Sequence, residues 1–264
     1  MDPASARPTA SRPRVEALPG PGAHLTLLGG FRLWVLDEEA LVPVGAQRLL
    51  ALLALRGRMS RSRTAGTLWP QTTENRALAN LRTAMWRVNH AAPNLLRTSS
   101  AAVDLEPDVD VDVRRLVSAA AVVMEDSATH EQFLDVWRHA PHSAGELLPD
   151  WEDEWFVDER QRLRQLQLHV LEELAERLAS QRRYGPALEA ALAALRADPL
   201  RESAHRSVIR VHLAEGNTVE ARRALDFCRL VLARDAGVEP SGATTQLVLT
   251  RDALVGTDAA VVPR

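Results

Sequence analysis

The chain has 264 residues, 46% of them hydrophobic and 25% charged, a globular balance with room for two domains. Its longest apolar run, Leu49–Leu55, falls far short of the ~20 residues a membrane span needs. The one cysteine, Cys228, excludes an intrachain disulfide or a zinc–thiolate cluster and points to a reducing cytoplasm.

The net charge of −3 hides a division along the chain. All 32 basic residues are arginine, and between residues 45 and 98 nine of them face a single acid, Glu74. From residue 99 onward, 29 acids outnumber 19 arginines. A genome-wide bias explains arginine in place of lysine but not where the arginines cluster, so the first half is expected to meet a polyanion.

In chain order, residues 1–23 hold Pro3, Pro8, Pro13, Pro19 and Pro21 without an apolar segment. They read as a disordered leader, not a signal peptide. His24–Val35 and Leu41–Val44, separated by the acidic Asp37-Glu38-Glu39, predict a short hairpin. Gly45–Arg58, rich in leucine, predicts a first helix. Ser60 is placed to cap a second helix that runs to Leu68 before Pro70, and Thr72 or Thr73 opens a third that runs to about His90 before Pro93. Leu95–Thr98 and Ala102–Leu105 then flank Ser99-Ser100 as a second hairpin. Hairpin, three helices, hairpin is the order of a winged helix, expected over residues 24–107.

From Asp110 onward the pattern predicts helices and no strand: Val111–Met124, Thr129–His139, Trp151–Gln181, Gly185–Ala197, Glu202–Glu215, Val219–Ala236 and Ser241–Leu254. Laid over itself at an offset of 34 residues, this region pairs Leu174 with Val208, Ala187 with Ala221, and Ala191 with Leu225. That offset is the tetratricopeptide period. The expectation is therefore a mainly α chain with a small β part, a winged helix-turn-helix followed over 108–254 by an all-α TPR-like repeat domain, and a disordered tail over 255–264.

The third helix carries the functional argument. At about 100° per residue, Leu78, Leu81, Met85 and Val88 share one arc, and Arg76, Asn80, Thr83, Arg87 and His90 the opposite one. That outer arc offers donors and no acid beyond the first turn. Arginine matches guanine O6/N7, asparagine matches adenine N6/N7, and threonine serves phosphate or a thymine methyl. The core candidates for reading a major groove are Arg76, Asn80, Thr83 and Arg87, against the plainer alternative of a basic amphipathic helix. Supporting phosphate or wing contacts are assigned to Arg61 and Arg63 at the start of the second helix, to Arg82 and His90, and to Arg97 and Thr98 at the second hairpin. Arg56 and Arg58 are read as charges that suit a helix C-terminus. Trp69 and Trp86 are read as core or half-core side chains.

Catalytic patterns fail on inspection, and the chain is read as a non-enzyme without cofactor or metal. Gly29-Gly30 lacks dinucleotide-loop spacing, and a phosphate loop needs a lysine that the chain does not have. His139 and His142 have no ligand partners at metal spacing and read as surface residues. The acids Asp150, Glu152, Asp153, Glu154, Asp158 and Glu159, interleaved with Trp151, Trp155 and Phe156, suit the first turns of an amphipathic helix. Cys228 reads as a small buried hydrophobe.

Taken together, the stretches LTLLGGFRLWV (25–35), GAQRLLALLALRGRMSRSRTAGTLWP (45–70), NRALANLRTAMWRV (75–88), VDVRRLV (111–117), residues 147–217 and GVEPS (237–241) resemble the SARP family of antibiotic-regulatory transcription activators. The resemblance implies a response-regulator-type winged helix before a TPR-like bacterial transcriptional activator domain. It also implies binding to double-stranded promoter DNA, commonly as two copies side by side, with the helix holding Arg76, Asn80, Thr83 and Arg87 in the major groove. It implies recruitment of RNA polymerase, through its sigma and other subunits, partly by the turn holding Trp69, Gln71, Thr72, Thr73 and Glu74. Many members carry Gly-Tyr at the wing where this chain has Ser99-Ser100-Ala101-Ala102, and larger relatives append an ATPase module for which the 264 residues are expected to leave no room. Two rivals to the activator are a protein-interaction adaptor built on the helical repeats and a repressor.

Overall fold

The computed structural model describes residues 22–125, 129, 131, 132, 136 and 145–249. The leader up to residue 21, His139, His142, most of the helix expected over 129–139 and the tail from residue 250 lie outside them.

Strand β1 (Ala23–Thr26) runs antiparallel to β2 (Arg32–Val35), which pairs in turn with β3 (Glu38–Glu39). The expected first hairpin is thereby corrected. The chain already reverses within residues 27–31, and Leu36 and Asp37, both at positive φ (51° and 64°), form a second tight reversal. A two-residue loop with both residues at positive φ is the geometry that suits the twist of paired strands. The acidic pair read as a turn is therefore a strand, while Leu41–Val44 is not; Pro43 instead sits at the N-cap of the next helix.

Helix α1 (Val44–Arg56) is buried along Ala46 and Leu49–Ala54, which accounts for its leucine density. Strand β4 (Met59–Ser60) leads into α2 (Arg61–Leu68), where the Ser60 hydroxyl accepts from the Arg63 amide at 3.3 Å as the sequence predicts. Helix α3 (Glu74–Ala91) follows, then the hairpin β5 (Leu96–Thr98) and β6 (Ala102–Leu105). A three-stranded sheet of order β4-β6-β5 closes the wing.

A further strand, β7 (Asp110–Val111), pairs in parallel with β1, His24 opposite Asp110 and Leu25 opposite Val111. The expectation of no strand from Asp110 onward is thus corrected. Two residues carry no periodicity, and their partner lies 86 positions upstream. The four-stranded sheet, order β3-β2-β1-β7, is where the chain leaves the winged helix and enters α4 (Asp112–Met124).

The helical region continues with a 3-10 turn (Glu154–Phe156), α5 (Val157–Ser180), α6 (Tyr184–Ala197), α7 (Glu202–Glu215), α8 (Thr218–Ala236) and a last helical stretch over 242–249, here α9. The helix expected from Trp151 begins six residues later. Trp151 and Trp155 pack against the core, and Asp153 turns away to pair with Arg48 of α1. The residues matched at the 34-residue offset are all buried: Leu174 with Val208, Ala187 with Ala221, Ala191 with Leu225. They lie on helices that pack in pairs, α5 on α6 and α7 on α8, which is why the period survives in the sequence. Cys228 is buried as expected, and burial pushes its thiol pKa up to about 11.

One hydrophobic core runs from Leu25 through α1 and α4 into α5 and α6. Polar ties cross the same junction. The buried Asp112 carboxylate accepts from the amides of Leu27 (2.9 Å), Leu28 (2.8 Å) and Val113 (2.7 Å). Burial raises its pKa against the pull of those three amides. The β1–β2 turn pairs with the segment at 145–148 through Gly29 N to Glu146 O (2.8 Å) and Leu148 N to Leu27 O (2.9 Å). A Cβ on Gly145 would come 3.1 Å from the Gly29 Cα, so a side chain there would require the two backbones to part by a few tenths of an ångström. Arg160 donates to the carbonyls of Leu147 (2.9 Å), Leu148 (2.6 Å) and Trp151 (2.9 Å) while lying over the Phe156 ring at 4.8 Å. Among the described residues, no helix is long and apolar enough to cross a membrane.

Candidate nucleic-acid interface

Helix α3 is amphipathic because small and branched residues recur at helical spacing. Ala77, Leu81, Ala84 and Val88 are buried, and Leu78 and Met85 are half-buried against the core. The opposite arc exposes Arg76, Arg82, Thr83, Arg87 and His90, with Asn80 half-buried at its edge. Among the described residues, none of Arg76, Arg82 and Arg87 has an ion pair or hydrogen-bond partner. Glu74 is the helix's one acid and lies in its first turn, where it suits the dipole. Thr83 is less free than its type suggests, because its hydroxyl donates to the Ala79 carbonyl at 3.1 Å. It can still accept a bond or present its methyl.

Trp86 departs from expectation. Far from the core, it is 65% exposed, and its ring stacks on His90 at 5.4 Å with an 11° interplanar angle. Its apolarity suggested burial, but its position one turn after Arg82 and one turn before His90 puts it on the donor arc. That spacing was the signal that could have placed it. Trp69 is half-buried against the core, as expected.

The wing and the start of α2 come together. Ser60 pairs with Ala102, and the Arg61 amide donates to the Ala101 carbonyl at 3.0 Å. Ser99 closes the wing tip by accepting from the Ala102 amide at 3.0 Å, so the Ser-Ser-Ala-Ala tip is an ordered tight turn. Thr98 and Arg63 are exposed. Arg97 is committed across the hairpin, its guanidinium 3.0 Å from Asp104, its register partner. Arg58, read from sequence as a helix-end charge, instead lines a shallow cleft with Arg97, Thr98 and Ser99. Arg56 is structural by another route, donating to the Trp155 carbonyl at 2.6 Å.

The turn between α2 and α3 is fixed at one end and open at the other. Thr72 bonds the Trp69 carbonyl through both its amide (3.2 Å) and its hydroxyl (3.1 Å). Gln71, Thr72, Thr73 and Glu74 are exposed, while Trp69 anchors the turn.

Fold and site together describe a winged helix fused to stacked helical repeats, with a basic arc on the third helix that is unpaired among the described residues. Residues 108–249 match the family described as bacterial transcriptional activator domain, and the chain belongs to that family. The membership bears out the resemblance to the SARP regulators. Among solved structures, the chain is similar to Mycobacterium tuberculosis EmbR, solved in complex with a low-affinity phosphopeptide. The two are 20% identical with a TM-score of 0.66, over 88% of this chain and 66% of that one, so this chain spans just under two thirds of its length. That likeness concerns the fold. No curated protein matches the sequence.

Proposed function

We propose that the chain is a sequence-specific DNA-binding activator whose winged helix, residues 24–107, lays α3 in the major groove of promoter DNA. The helical domain, residues 108–254, then makes the protein contacts. The reading rests on one observation above all: Arg76, Arg82 and Arg87 stand exposed on the arc opposite the buried face of α3, without a partner among the described residues. Unpaired guanidiniums at the surface of a folded helix are available to guanine edges and phosphates at little reorganisation cost. Arg76, Asn80, Thr83 and Arg87 are assigned to base edges. Arg61, Arg63, Arg82, His90 and Thr98 are assigned to phosphates, with Arg97 and the neighbouring Arg58 at the wing.

The exposed turn from Gln71 to Glu74, held by Trp69, is assigned to RNA polymerase, and two copies are expected side by side on DNA in the cytoplasm. Secondary-metabolite genes are the proposed targets. The test is enrichment of duplexes from a random-sequence pool, followed by polarisation binding at two salt concentrations with excess nonspecific competitor. Tight, salt-sensitive binding that survives competition supports the reading; transcription with purified polymerase then separates activation from repression. Binding abolished by competitor would instead favour an adaptor acting through the helical repeats.

A further inference from the structure

We infer that Trp86 is a specificity residue of α3 that reads a thymine methyl group; the inference rests on the DNA-binding function proposed above. The indole is 65% exposed and, among the described residues, makes a single ring contact, with His90, so packing does not account for it. It occupies the middle of the solvent arc. Arg82 and Thr83 lie one helical turn before it and His90 one turn after, Arg87 follows about 100° round the helix, and the buried residues Ala77, Leu81, Ala84 and Val88 oppose it. The titratable neighbours on that arc are arginines and a histidine, with no acid among them, so the surface around the ring complements a polyanion. An acidic or apolar protein face would leave either the arginines or the ring without a matching group.

In a major groove the groups a side chain meets are hydrogen-bond donors and acceptors, with one apolar exception, the C5-methyl of thymine. An aromatic face amid arginines therefore has one kind of base-edge partner there. The stack on His90 restricts the side chain in advance, which lowers the ordering cost on binding.

The test is methyl deletion. Duplexes enriched from a random pool by the unmodified chain are remade with deoxyuridine at one thymine at a time, which removes only the methyl group. They are then titrated against the wild type, Trp86→Ala and Trp86→Phe. The wild type is expected to lose roughly fourfold in affinity at one or two positions, the size of one methyl withdrawn from water. Trp86→Ala is expected to bind the thymine duplex about as weakly and to be indifferent to deoxyuridine at those positions. Trp86→Phe, which keeps a ring, is expected to retain most of the discrimination.

Trp86→Ala with wild-type affinity, or with unchanged sensitivity at every thymine, would overturn the inference while leaving DNA binding intact. Loss in Trp86→Phe with no deoxyuridine effect in the wild type would also overturn it, pointing to a phosphate contact by the indole N–H. A wild-type chain that enriches no sequence would bring down the DNA-binding reading, and this inference with it. Because Trp86 is exposed, both variants are expected to melt as the wild type does, which thermal unfolding checks.

Discussion

Helices α3 and α5 are both long, both rich in arginine and both amphipathic, yet their arginines have opposite surroundings. On α5, Arg160 caps three carbonyls, Arg162 pairs with Glu159, Arg164 with Asp198, and Arg177 with Glu173. Beyond it, Arg201 is held by Glu172, which also accepts from Ser203 at 2.6 Å, and Arg206 by Glu202. On α3, Arg76, Arg82 and Arg87 have no such partner among the described residues. A compositional preference for arginine acts on both regions alike. The difference lies in the acids supplied with it, and it separates arginines that hold the fold from arginines left free for an external anion.

The largest expected effect tests the first group. Arg160→Ala removes the donor to three main-chain carbonyls and the contact with Phe156, and should destabilise the chain by about 2–4 kcal/mol in denaturant unfolding. A loss below about 0.5 kcal/mol would break the comparison at its structural end. The same substitution on the outer arc should do the reverse. Arg76→Ala or Arg87→Ala is expected to weaken specific binding by roughly 1–3 kcal/mol with unfolding unchanged; full promoter discrimination in both would remove the base-reading assignment.

Arg82→Ala should weaken binding to all duplexes alike and lower the slope of log affinity against log salt by about 1. A sequence-dependent loss would move Arg82 among the base readers. The smallest effect concerns a carboxylate. Burial alone would push Glu202 upward, but bonds from the Ser241 and Thr244 hydroxyls and the Ser241 amide, with Arg206 nearby, hold its pKa below the ordinary value. A depressed folded pKa contributes stability above the unfolded value that is lost as pH falls through the folded one. The melting difference between wild type and Glu202→Gln should therefore be full at neutral pH and shrink below the usual glutamate range. A difference that stays constant with pH would show that the tie from α7 to α9 does not depend on charge.

Much of this was legible because it is local. The cap at Ser60 needs only a hydroxyl three residues before an amide, and α7 occupies Glu202–Glu215 as the sequence predicts. The donor arc of α3 was legible for the same reason, since a helical face is fixed by residue spacing. Trp86 was misplaced because residue type was weighed above position. Arg56 does stand in the last turn of α1, but its bond to Trp155, and the place of Arg58 beside the wing, were not legible because those neighbours lie 39 or more positions away.

The sequence by itself determined most of the described helices, the cap at Ser60, the 34-residue repeat and the basic face, because each depends on contacts within a few turns or on a repeated pair. Only the tertiary structure decided what long-range contact decides. That includes the two-residue strand β7 beside β1, the burial of Asp112 under the amides of Leu27 and Leu28, the pairing of Arg48 with Asp153, and hence which arginines are spent on the fold. Neither strand pairing nor charge pairing across such separations leaves a periodic trace, since the cost of closing the loop is met by burial and bonding that exist only once both partners are in place.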